Sequence, residues 1–204
     1  MGPSRSPDEL AEAELELLVD IADEALVAAL TGRRYEPPSL DTLTPALGSH
    51  RGAFVTLHVD GLLNGCIGDV AGREPLAHAV ARLSLSAAFD DPRLPALQAV
   101  EYERLEIEVS VLSPMSPVAA GHRDELIRTV RPHVDGLMIR TAYGSGLFLP
   151  DVWAQLPDPD DFLDHLWLKA GLPEWVWPEA IDRFTTQHHT RRAGTFDVVP
   201  GREP

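Results

Sequence analysis

Leu10, Ala13, Leu17, Ile21, Ala25 and Ala28 recur at three- and four-residue intervals with carboxylates between them. That spacing predicts an amphipathic helix running from Pro7-Asp8-Glu9 to about Gly32. Acidic residues in its first turn suit the positive end of the helix dipole, and a glycine suits its stop. Residues 33–49 carry three prolines and no clear period, which predicts an extended loop. The pattern then changes to β-forming residues. Ala53 to Val59 and Leu62 to Ile67 flank Asp60-Gly61, and Asp-Gly between two apolar runs is a strong hairpin signal.

After Pro75, which suits a first helical turn, Leu76, Ala79, Val80, Leu83, Ala87 and Ala88 form an apolar helical stripe that Asp91-Pro92-Arg93-Leu94-Pro95 breaks. The clearest strand is Leu105 to Leu112. Strict alternation puts Leu105, Ile107, Val109 and Val111 on one face and Glu106, Glu108 and Ser110 on the other, and Pro114 and Pro117 end it. Asp124 to Val130 predicts a short helix. Val134 to Arg140 and Ser145 to Pro150 predict a second hairpin around Tyr143-Gly144. A further helix carries Phe162, Leu163, Leu166 and Ala170, capped by Asp160 or Asp161 and stopped by Gly171 and Pro173. Glu179 to Thr190 reads as one mixed strand. Hairpins and helices without βαβ alternation predict an α+β fold with a mainly antiparallel sheet and flanking helices. The length suits one domain over residues 8–192, a large core with a smaller lobe, between flexible tails at 1–7 and 193–204.

Charge and composition narrow the function. The net charge is −15, with one lysine, Lys169, and scattered arginines. Nucleic acid is therefore not expected as a partner, because a phosphate-binding surface needs clustered Lys and Arg. No apolar run approaches the ~18–20 residues of a membrane span. Met1 to Pro7 runs straight into acidic residues without the apolar stretch of a signal peptide, so a cytoplasmic protein is expected. A single cysteine excludes an intrachain disulfide and a cysteine-rich zinc site.

That cysteine, Cys66, lies in Asn64-Gly65-Cys66-Ile67-Gly68 on the return arm of the first hairpin. The two glycines remove bulk, so a ligand or another backbone can approach the sulfur closely. Strand alternation groups Asn64, Cys66 and Gly68 opposite Leu63 and Ile67. The plainer alternative is a small buried hydrophobe. Glu106 and Glu108 sit about 7 Å apart on one strand face, close enough for a shared water or cation and for general acid–base work, or simply solvated. Carboxylates beside a thiol oppose its ionisation, so a nucleophilic Cys66 needs a cation. Arg51, Arg93, His58 and His78 are the candidates, and spacing does not choose among them.

Other chemistry is less well supported. His188 and His189 would face opposite sides of a strand, and no HxxxH or HExxH spacing occurs, so no metal and no cofactor is expected. Gly61, Gly65 and Gly68 lie in a hairpin rather than a strand-to-helix turn. Ser145 between two glycines lacks the setting of a nucleophile elbow. Trp175 and Trp177, between Pro173 and Pro178, are either lobe packing or exposed anchors for a partner.

Seven stretches, in order, resemble the AMMECR-one family over roughly residues 10–190. They are Arg51 to Leu57, Leu63-Asn64-Gly65-Cys66-Ile67-Gly68, Ala87 to Arg93, Leu105 to Leu112, Val134 to Leu137, Gly146 to Pro150 and Lys169 to Pro173. The resemblance implies an α+β fold in which a sheet with flanking helices joins a smaller lobe, leaving a cleft. It supplies no reaction. Family members are often encoded beside or fused to a Memo-type protein, and near radical-SAM proteins, which implies a pathway partner. Two positions depart from the family pattern. Arginine is usual where Asn64 stands, and cysteine is frequent where Trp167 stands, so no second thiol exists for a two-cysteine mechanism. Together these readings point to a small-molecule site with Cys66, Glu106 and Glu108 in the chemistry and Asn64, Gly65, Gly68, Arg51 and Arg93 contacting the ligand. The alternative is a non-enzymatic interaction module for a Memo-type or radical-SAM-pathway partner.

Overall fold

A computed structural model of the chain describes residues 9–142 and 144–194. The expected tail at 1–7, residues 195–204 of the one at 193–204, and Tyr143 of the second turn lie outside the described residues; Ala193 is described, and its N–H bonds the Leu105 carbonyl at 2.8 Å. The architecture is α+β, with four α-helices and two four-stranded sheets among the described residues. The chain forms two compact units, one built up to Val111 and again from Gln187, the other from Leu112–Thr186.

In the first unit, α1 (Glu12–Leu30) and α2 (Leu76–Phe89) cover one face of a sheet. That sheet is ordered β2-β1-β3-β8, from β1 (Ala53–Val59), β2 (Leu62–Asp69), β3 (Leu105–Leu112) and β8 (Thr186–Arg192). Val55 and Leu57 of β1 and Leu105, Ile107 and Val109 of β3 are buried against the helices, as strict alternation requires. The β1–β2 turn has Asp60 at φ 53° and Gly61 at φ 77°, the two positive angles the Asp-Gly signal predicts.

The apolar stripe of α1 differs from the one read off the sequence. Leu15, Leu18, Val19, Ala22 and Leu26 point inward together with Ile21 and Ala25, whereas Ala13 and Leu17 face out. A helix this rich in Leu and Ala fits two stripes about 100° apart, and tertiary packing selects one.

The second unit holds a sheet ordered β4-β7-β5-β6. Its strands are β4 (Ser116–Pro117), β5 (Gly136–Arg140), β6 (Ser145–Phe148) and β7 (Ala180–Phe184), with helices α3 (Arg123–Thr129) and α4 (Pro159–Lys169). Trp153 stacks on Phe162 with ring centres 3.7 Å apart and donates its indole N–H to the Asp135 carbonyl at 2.8 Å. Pro117 therefore does not only end a strand; it sits in a two-residue edge strand, where a missing N–H is tolerated.

Two further expectations are corrected. The stretch from Glu179 to Thr190 is two strands in different sheets, broken at Thr185, which exchanges hydrogen bonds with Ser113. The N-cap of α4 is Asp158, not Asp160 or Asp161. Its carboxylate accepts from the backbone N–H groups of both, and Pro159 occupies the first helical position.

Candidate functional site around Cys66

The β1–β2 pairing places Cys66 opposite Thr56, and β1–β3 pairing places Thr56 opposite Glu108. Cross-strand partners share a sheet face. Cys66, Thr56 and Glu108 therefore form one row across three strands, on the face turned away from α1 and α2. The Thr56 hydroxyl donates to the Cys66 sulfur at 3.4 Å. Glu108 accepts from Ser110 at 3.2 Å and from Thr190 of β8 at 3.3 Å, which extends the row to the fourth strand. Glu106, one pleat along, lies opposite His58 rather than sharing a partner with Glu108. The Cys66 strand and the Glu106/Glu108 strand are not neighbours, because β1 lies between them; the thiol and the carboxylates share one sheet face with Thr56 and His58 of β1 in between.

A clamp from the loop after α2 holds the Cys66 peptide. The backbone N–H of Cys66 donates to Asp91 Oδ2 at 3.0 Å, and its carbonyl accepts from Arg93 Nη2 at 2.9 Å. Arg93 in turn grips Asp91 with Nε at 2.9 Å and Nη2 at 2.7 Å, while its own N–H donates to Oδ1 at 3.1 Å. The Asp91 side chain is only 2% exposed, whereas that of Arg93 is 62% exposed. The Arg93 hydrogen bonds, followed by that of the Cys66 N–H, hold the Asp91 carboxyl well below the usual carboxylate range. Asp91 raises Arg93 in return, and the Cys66 thiol lies close enough to add to that effect. Of the candidate cations, Arg93 is one whose side chain hydrogen-bonds the Cys66 residue, at its carbonyl.

The other candidates are placed elsewhere. His78, on α2, is engaged by the Pro38 carbonyl at 3.1 Å. Arg51 precedes β1, five residues from Thr56, or roughly 16 Å along a strand. Its backbone packs beneath Gly72. His58 shares the Thr56 face, and its Nδ1 is buried without a hydrogen-bond partner.

Both glycines of the Cys66 motif serve the protein's own packing. A Cβ on Gly65 would lie 1.9 Å from the Ala87 carbonyl oxygen of α2, and one on Gly68 would lie 2.1 Å from the Phe54 ring. The space the sequence suggested for a ligand is filled by helix and ring. Asn64 also departs from simple alternation. The β1–β2 register shifts at Leu57/His58, so Leu57 pairs with Gly65, His58 pairs with Leu63, and Asn64 is the extra residue of a β-bulge. It is buried, and its Oδ1 has no hydrogen-bond partner. The bulge carries Leu63 onto the face of Cys66, not the opposite one.

Asp91 and Thr56 are the site residues that sequence reasoning missed. An Asp two residues before a candidate Arg, directly after a helix, was the available signal for the clamp. Thr56 required the strand register. Elsewhere, Glu12, Glu16 and His189 bring ligand atoms within 4.8 Å of one another, with His189 bonded to Glu12 at 2.8 Å; exposed acidic groups of this kind are common without an ion. A groove of about 410 Å³ beside α1 and one of about 420 Å³ beside α4 are both lined by residues other than Cys66. Among the described residues, no helix is long and apolar enough to cross a membrane.

Comparison with known proteins identifies the family. The profile of the AMMECR1 family matches residues 13–189. A protein of Methanothermobacter thermautotrophicus is 36% identical over 166 residues, covering 80% of this chain and 85% of its own length. One from Thermofilum pendens is 34% identical over 208 residues, covering 93% and 95%. The crystal structure of the uncharacterised protein PH0010 from Pyrococcus horikoshii superposes with a TM-score of 0.78 at 33% identity, over 90% of this chain and 94% of that one. With a profile match across most of its length and relatives covered nearly end to end, the chain belongs to the AMMECR1 family.

Proposed function

We propose that the chain is a cytoplasmic protein that binds a small molecule at the Cys66 face of the β2-β1-β3-β8 sheet, with the Cys66 sulfur as the attacking group. The observation that carries this is the clamp. Asp91 and Arg93 hold both the N–H and the carbonyl of Cys66, a residue that is only partly buried. A buried hydrophobe needs no such fixation, whereas a nucleophile benefits from a held backbone and a nearby guanidinium.

In such a step a bond forms from Sγ to an electrophilic carbon of the ligand as the thiol proton leaves to water; the carbon's π bond to its neighbouring atom breaks, and that atom takes the electron pair and a proton from water. Thr56 donates to the sulfur and orients it. Glu108 and Glu106 border the row and set its polarity. Arg93 contributes charge through Nη1, which has no partner among the described residues. That charge favours a ligand carrying a carboxylate or similar anionic group. Asn64 offers a buried acceptor at the bulge for a donor group or an ordered water. Gly65 and Gly68 act by letting β2 sit tightly against α2 and Phe54. Arg51 lies toward the open end of the hairpin.

The test is a panel of small electrophilic fragments incubated with the native chain and read by intact mass. Selective single labelling at Cys66, lost in Cys66→Ser and reordered in Arg93→Gln, is expected. Labelling only after denaturation would return Cys66 to a packing role.

A further inference from the structure

We infer that the groove at the C-terminal end of α4 is a docking site for a protein segment that presents an apolar side chain flanked by lysines or arginines. The buried face of α4 is complete without this groove, since Phe162, Leu163, Leu166 and Trp167 point into the core of the second unit. Leu168 is on the opposite side and is 75% exposed. The helix then stops in a Schellman turn, with Leu172 N–H bonded to the Trp167 carbonyl at 2.9 Å, Gly171 N–H to that of Leu168 at 3.0 Å, and Gly171 at φ 69°. The chain doubles back, and Trp175 stands beside Leu168 at 85% exposure.

That exposure does not come from a loose loop. The residue after Trp175 is pinned, because Trp167 Nε1 donates to the Val176 carbonyl at 2.9 Å and Val176 N–H bonds the Pro173 carbonyl at 3.0 Å. Trp177 packs against Trp167 with ring centres 5.6 Å apart. The fold thus anchors both sides of Trp175 and leaves its indole in water, at the edge of a groove of about 420 Å³ floored by Leu172 and Pro173. A rigidly presented tryptophan beside an apolar groove has the character of an interface anchor.

Charge selects the occupant. Glu174 and Asp164 line the groove, and Asp161 lies one turn back on α4. Asp164 shares Arg123 with Asp160, while Glu174 has no partner among the described residues. The one lysine of α4, Lys169, sits over the Phe148 ring at 5.0 Å rather than at the groove. On a chain of net charge −15, an acidic rim repels a second copy and attracts a basic flank.

The experiment uses the full chain and three short labelled peptides, read by fluorescence anisotropy. One has a leucine-tryptophan core flanked by lysines, one has the same core flanked by glutamates, and one has the lysines around a serine core. The lysine-flanked apolar peptide should bind and weaken with added salt. Trp175→Ala, Leu168→Ser and Glu174→Lys, all at exposed positions, should each weaken it about tenfold while the melting temperature holds. Equal binding of either control peptide, wild-type binding by the variants, or no binding at all would overturn the assignment. So would a concentration-dependent rise in mass abolished by Trp175→Ala, which would make the occupant a second copy.

Discussion

Each unit of the molecule contains a buried aspartate gripped by an arginine close in sequence, and the two pairs serve different ends. In the second unit, Asp135 is fully buried and takes Arg131 through its N–H, Nε and Nη2, at 2.6–3.1 Å. Every one of those bonds closes the turn between α3 and β5. In the first unit, Asp91 takes Arg93 in the same way, but the pair also reaches 25 and 27 residues away to the N–H and carbonyl of Cys66. The motif that closes a turn in one unit holds the backbone of a distant cysteine in the other. An ion pair acquires a functional meaning from what else it holds.

The sharpest way to break the first unit alone is Gly65→Ala. The new methyl meets a main-chain oxygen of α2 at 1.9 Å, and no side chain can swing away. A loss of about 3 kcal/mol or more is expected in denaturant melts. Gly136→Ala in the second unit meets the Phe184 ring at 2.6 Å, which can tilt, and the Phe148 main-chain oxygen at 2.8 Å, a milder backbone clash than at Gly65, so about 2 kcal/mol is expected there.

Next, Asp135→Asn should cost about 2 kcal/mol through weakened buried hydrogen bonds and leave the labelling rate of Cys66 unchanged. Asp91→Asn should instead change that rate by several-fold. If the two variants affected labelling alike, the contrast between the clamps would collapse.

Acid probes the pair in the first unit. The folded Asp91 carboxyl titrates below its unfolded value, so its contribution to stability is present above about pH 4 and disappears as pH falls through the lower folded value. The gap in stability between wild type and Asp91→Asn should therefore be full near pH 6 and shrink steadily below about pH 4. Melts at several pH values show it; a gap independent of pH would contradict the assigned ionisation.

The smallest effect expected is at Thr56. Removing its hydroxyl in Thr56→Val keeps the strand shape, deletes one donor to sulfur, and should slow alkylation by only a few-fold.

Much of this fold was legible because local rules decide it. Asp60-Gly61 dictates its own turn, and Leu105 to Val111 alternate so strictly that the buried face follows. The site was legible only in part, because its decisive relations are long-range. Nothing near Cys66 in sequence announces that Asp91 will receive its N–H, or that Thr56 is its neighbour. The bulge at Asn64 is invisible until β1 and β2 are set in register, and it overturns the grouping of side chains that alternation suggests. Leu17 and Leu18 are equally apolar, and only the packing of α1 into the core of its unit, chiefly against α2, distinguishes them. Thr185 divides a stretch that reads as one strand because two sheets compete for it.

The proposed role of Cys66 is that of a held, accessible nucleophile. Its most direct test is the alkylation rate of the native chain with iodoacetate and with iodoacetamide, in wild type and in Arg93→Gln. With one thiol in the sequence, the signal has a single source. The prediction is rapid reaction without unfolding and a preference for the anionic reagent that falls by several-fold when Arg93 is replaced. Reaction only on unfolding, or a reagent preference indifferent to Arg93, would contradict it.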